Sequence, residues 1–138
     1  MSEDLKSDKQ HGVAAVEFAI VLPLLIFLFL GITEFGIAYY NKQVLTNASR
    51  EGARAGIVED TTDQQIKDIV FDYADGRLIT FGTDTFSPDN INLVNSGDYL
   101  NVSTELEYDY LLLSGFKFFG ADFGPKINIG AFTTMRME

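Results

Sequence analysis

From Val13 to Ile32 the chain reads VAAVEFAIVLPLLIFLFLGI, an unbroken apolar run whose one charge is Glu17. At about 1.5 Å per residue a helix of this length reaches roughly 30 Å, the thickness of a bilayer's hydrocarbon core. The pattern predicts a transmembrane helix over residues 13–33. Pro23 cannot donate to the carbonyl of Ala19, so a kink is expected there, of a kind membrane helices tolerate. Gly31 and Gly36 permit close helix contacts, Tyr39 and Tyr40 fall where an interfacial aromatic belt would sit, and Glu34 marks the expected exit into water.

Beyond Tyr40 the run gives way to an amphipathic pattern that predicts helix to about Ile57. Tyr40, Val44, Ala48, Gly52 and Ala55 share one stripe, while Lys42, Asn47, Arg50 and Arg54 point elsewhere. Ala48, Gly52 and Gly56 place small residues four apart, so another backbone can approach closely. The neighbour is either the protein's own head or another subunit.

A second helix is predicted after Thr61 or Thr62, each followed three residues later by a glutamine, as in a capping box. Ile66, Ile69, Val70 and Tyr73 give it one apolar face, and it ends at Gly76 or runs on to about Ile79. Three strands follow. The first is Asn90 to Val94, closed by a four-residue loop Asn95-Ser96-Gly97-Asp98. The second, Tyr99 to Leu112, alternates: Leu100, Val102, Thr104, Leu106, Tyr108 and Tyr110 on one face, Asn101, Ser103, Glu105, Glu107 and Asp109 on the other. The third is Ile127 to Met137, with Ile127, Ile129, Ala131, Thr133 and Met135 inward. Strict alternation means a sheet wet on one side, hence antiparallel. Between the last two strands lies an aromatic loop with Phe116, Phe118, Phe119 and Phe123, read as a core lid or a subunit contact. The fold class is therefore α+β: a long N-terminal helix and a small head with one helix and a three-stranded antiparallel sheet. Domain boundaries fall at 1–12, 13–57 and 58–138.

Charge and composition narrow the function. The net charge is -10, with 20 acidic against 10 basic residues, which disfavours nucleic acid as a partner. With no cysteine there is no disulfide, thiolate metal site or thiol nucleophile. The one histidine, His11, lies in the polar leader, so no Ser-His-Asp set can form in the chain after it, and no phosphate-binding glycine loop follows a strand. Asp84, Asp89 and Asp98 could meet around calcium, but their spacing fits no EF-hand loop. Asn47-Ala-Ser49 and Asn101-Val-Ser103 match the glycosylation sequon, a pattern common by chance. The chain reads as a non-enzyme with no cofactor, no metal and no small-molecule substrate.

The join at Gly12 admits three readings. A cleaved secretory signal would need a basic leader and a small-x-small site after the apolar run, and neither is present. An uncleaved anchor would make the protein a tethered envelope binding module, its aromatic loop recognising another envelope protein. The third starts from Glu17, because a carboxylate near a bilayer's centre costs about 2.5–3.5 kcal/mol on insertion scales and so marks function. It stands five residues after Gly12, as G-V-A-A-V-E-F, and this resembles the signal of type IV pilins.

Taken together, GVAAVEFAIVLPLLIFLFLGITEFG, then LTNASREGARAG, LITFG at residues 78–82 and the closing TTMRME look like a TadE-like pseudopilin, a minor pilin of the tight-adherence (Flp) pilus system. The resemblance implies cleavage between Gly12 and Val13 by a prepilin peptidase, with Glu17 as the assembly glutamate attracting the new amino terminus of a neighbouring subunit. It further implies a bacterial inner-membrane protein with a periplasmic head, whose partners are the bilayer, the peptidase and other pilin subunits. Orientation comes from the resemblance alone, since Lys42, Arg50 and Arg54 outnumber Lys6 and Lys9 across the span and lean the other way. Many relatives carry a cysteine pair in the head, and this chain has none.

Overall fold

One helix, α1 (Asp4–Gly56), accounts for the first part of the chain in the computed structural model, which describes residues 4–58, 60–81, 86–110, 120 and 126–137. It begins at Asp4 rather than at Val13, because nothing at the polar–apolar join stops a helix. Gly12 lies inside it, and an interior glycine disfavours helix by only about 0.5–1 kcal/mol relative to alanine. The helix also continues through Pro23.

The second helix, α2 (Asp63–Ala74), starts as its cap predicts, at Thr62 rather than Thr61. The Thr62 hydroxyl accepts from the Gln65 amide at 3.3 Å, and the Gln65 side chain accepts from the Thr62 amide at 2.9 Å. It ends before Gly76, whose φ of +70° turns the chain away. Ile66 and Val70 are buried as predicted, but Ala74 completes the face, while Ile69 is exposed and Tyr73 half-buried.

The sheet has the order β1-β2-β3, with β1 (Ile91–Ser96), β2 (Tyr99–Asp109) and β3 (Lys126–Arg136) antiparallel throughout. The first hairpin is tighter than its composition suggests. Asn95 and Ser96 remain paired, opposite Leu100 and Tyr99, which leaves a two-residue turn, Gly97-Asp98. Gly97 at φ +61° supplies the left-handed residue that such a turn needs first, so the strands can close sooner. In β2 the alternation is as predicted: Leu100, Val102, Thr104, Leu106 and Tyr108 are all buried. On β3 the inward residues follow the predicted set, except that Ile127 at the strand's start is exposed. The aromatic loop with Phe116, Phe118, Phe119 and Phe123 lies outside the described residues, as do the end of the predicted second strand and Asp84.

The core forms where the last part of α1, the inner face of α2 and the inward face of the sheet meet. Val44, Leu45, Ala48 and Ala53 from α1 pack with Ile66 and Val70 from α2 and with Leu100, Val102 and Ile129 from the sheet. Close approach depends on α1's glycines. A Cβ on Gly52 would collide with the Val70 side chain, and one on Gly56 would meet Leu100 and lie 2.7 Å from Ile66. The small-residue stripe thus receives the protein's own head. At the edge of the core, Phe71 stacks on Phe86 at 6.3 Å and ties α2 to the short 3₁₀ turn Pro88–Asn90 that leads into β1.

Candidate functional site along the first helix

Two stretches of α1 behave differently. From Gly12 to Thr33 no side chain is buried; Val13, Phe18, Leu24 and Phe29 are among those exposed, Val13 at 60%. Large apolar side chains bare on every side of a helix are stable only in lipid or against other apolar helices. The Thr33 hydroxyl donates to the Phe29 carbonyl at 2.9 Å, so it brings no unmet donor into that region. Glu17 is exposed amid this surface, five positions after Gly12, and the Gly12–Val13 bond lies within the helix. Gly31 and Gly36 have open space around them: a methyl group on either would meet nothing within 4 Å.

From Glu34 onward one face of α1 is buried, and three polar residues on it hold the head. The phenol of Tyr108, near the end of β2, donates to Glu34 Oε1 at 2.7 Å, with both residues buried and Glu34 only 1% exposed. Asn41 is fully buried and bonds Ile79's backbone twice: its amide donates to the Ile79 carbonyl at 2.7 Å, and its oxygen accepts from the Ile79 amide at 2.9 Å. Ser49 lies 2.8 Å from the Thr133 hydroxyl on β3 and donates to the Thr46 carbonyl at 2.9 Å. At about 1.5 Å per residue these anchors stand roughly 10–12 Å apart along one helix face. Each holds a different part of the head: the end of β2, the segment after α2, and β3.

Glu34, the expected exit into water, therefore ends the bare stretch but is covered by the head rather than solvated. A carboxylate can be buried when a donor meets it, and Tyr108 supplies one. Burial first, and then the hydrogen bond and charge of Glu34, push the Tyr108 phenol above its ordinary titration range. Tyr110 packs edge-on against the same ring at 6.3 Å. The buried stripe is also turned slightly from the predicted one: Tyr40 is exposed and Ala55 half-buried, while Leu45, Ser49 and Ala53 belong to the buried face. Polar residues at 34, 41 and 49, about two helical turns apart, were the available signal for it.

The candidate calcium set does not gather: β1, some 20 Å long at about 3.3 Å per residue, separates Asp89 from Asp98. Among the described residues no group of three His, Cys, Asp or Glu side chains could hold a metal ion.

A bare apolar helix, long enough to cross a membrane between Gly12 and Gly56, joined through its buried second half to an α+β head, defines a candidate membrane anchor with a folded head. Residues 12–54 match the family of TadE-like proteins, and the resemblance read from the sequence is borne out over that stretch. The match begins at Gly12 and ends within α1, so LITFG and TTMRME fall outside it. No curated protein and no solved structure matches the chain.

Proposed function

We propose that this chain is a minor pilin or pseudopilin of a tight-adherence pilus: a single-pass inner-membrane protein with its head in the periplasm, cut by a prepilin peptidase before it joins or primes the fibre. The observation that carries the reading is the coincidence of three features at one place. The family match starts at Gly12, the bare apolar surface starts at Val13, and Glu17 is the charge within it. Cleavage after Gly12 makes Val13 a terminal amine, positively charged at neutral pH. That amine and the Glu17 carboxylate of a neighbouring copy attract strongly in low dielectric, each relieving the burial of the other. The polar anchors at Glu34, Asn41 and Ser49 keep the head fixed on the half of α1 outside the bilayer.

Mass spectrometry of the membrane-extracted protein from peptidase-positive cells should find Val13 at the amino terminus. An intact Met1 terminus leaves a tethered envelope binding module instead. Glu17→Gln should then separate roles: the variant stays in the membrane, where the neutral side chain inserts slightly better, but no longer enters assembly.

A further inference from the structure

We propose that two copies of this chain lying side by side in one membrane pack through oppositely charged helix faces, the solvent face of α1 on one copy against the outer face of α2 on the other. The charges of the chain are strongly segregated. Residues 58–138 carry fourteen acidic and five basic side chains, whereas α1 beyond Phe35 carries Lys42, Arg50 and Arg54 against Glu51 alone. Arg50 and Arg54 are exposed, along with Asn47, at helical positions opposite the buried Val44, Leu45, Ala48 and Gly52. Arg54 pairs with Glu51 at 3.3 Å on its own helix, yet its side chain keeps 74% of its surface in solvent.

Along the outer face of α2 the exposed Asp68 and Asp72, continued by Asp75 just past its end, form the opposing stripe, about one turn apart. Two acidic groups of the sheet region are already paired: Glu107 on the outer face with Lys126 at 3.0 Å, and Asp98 in the first turn with Arg136 at 3.9 Å. On α2, Asp68 accepts from the neutral Gln64 amide at 2.9 Å, which leaves its charge in place.

The heights of the two stripes agree. Gly56 faces Ile66 and Gly52 faces Val70, so α2 descends beside α1, antiparallel and close to it. By the same step Asp68 lies at about the level of Arg54, and Asp72 at about the level of Arg50. Two copies held at one depth by identical spans meet Arg54 to Asp68 and Arg50 to Asp72 with no axial shift. A head so rich in carboxylates would otherwise repel its neighbour at this distance. The two stripes are different surfaces of one chain, so the contact is head-to-tail and each copy keeps a stripe for the next; rows or rings can extend.

This inference rests on the pilin-like reading only for the shared membrane, and its test does not need the cut. The chain has no cysteine, so Asn92→Cys on exposed β1 gives a single dye site. Full-length chain, labelled with donor or acceptor and reconstituted in phosphatidylcholine vesicles, should show energy transfer above random mixing, falling as salt rises. R50E/R54E alone and D68K/D72K alone should each drop to the random level. Mixing those two variants, or combining all four changes in one chain, should restore the excess. Transfer that survives either reversal, or that neither the mixture nor the fourfold variant restores, overturns the proposal. Restored transfer in a chain whose native leader is never removed would leave this contact standing while removing the pilus reading.

Discussion

Tyr108 and Glu34 make the clearest case at the scale of single residues. The phenol's raised titration range means that the folded state favours its protonated form. Such a group adds stability that is complete below its unfolded value, about pH 10, and is lost as the pH climbs above it. Wild-type stability should therefore fall as denaturation is followed upward from pH 10, and Tyr108→Phe should fall less steeply there. At neutral pH the same variant takes away a buried carboxylate's donor and should be less stable by about 1–3 kcal/mol in chemical denaturation. Glycines give a second contrast. A methyl on Gly52 would strike Val70, whose branched side chain has little freedom to turn aside, whereas one on Gly31 meets nothing. Gly52→Ala should lower stability by about 1–3 kcal/mol, and Gly31→Ala should leave the unfolding midpoint unchanged or slightly higher.

At the scale of elements, strong periodicity carried over well into structure. The alternation of β2, the capping box of α2 and the apolar run of α1 each left little choice, because a one-residue slip in β2 would turn five buried side chains into water. What stayed hidden was how α1 meets the head. Glu34, Asn41 and Ser49 look like surface residues when only apolar positions define a buried stripe, and their partners lie far along the chain: 74 residues for Tyr108, 38 for Ile79 and 84 for Thr133. Gly12, Val13 and Glu17 form a local pattern that needs no distant partner to be noticed, and the family match begins at the same glycine; their roles in processing and assembly belong to the proposal above. Asn41 tests the importance of these anchors. It completes both backbone hydrogen bonds of Ile79 in a segment with no strand of its own. Asn41→Ala should speed hydrogen exchange at the Ile79 amide by orders of magnitude while the β2 amides keep their protection, since local opening near a lost anchor does not require global unfolding. Equal acceleration across β2 would mean that Asn41 supports the whole head.

At the scale of the whole molecule, α1 changes character at Glu34. From Gly12 to Thr33 no side chain is buried; from Glu34 onward α1 supplies part of the head's core and three polar anchors. The hydrophobic effect therefore favours folding of the head through residues 34 onward, and leaves the bare apolar run 13–33 as the candidate membrane anchor. A fragment spanning residues 31–138 keeps the three anchors and, among the described residues, every buried apolar one, and its acidic excess favours solubility. It should appear in the soluble fraction and unfold cooperatively, with a chemical midpoint close to that of the full chain in detergent. If the fragment instead collapsed without a cooperative transition, the apolar span would have to contribute to the head's core, and the division of α1 at Glu34 would be wrong.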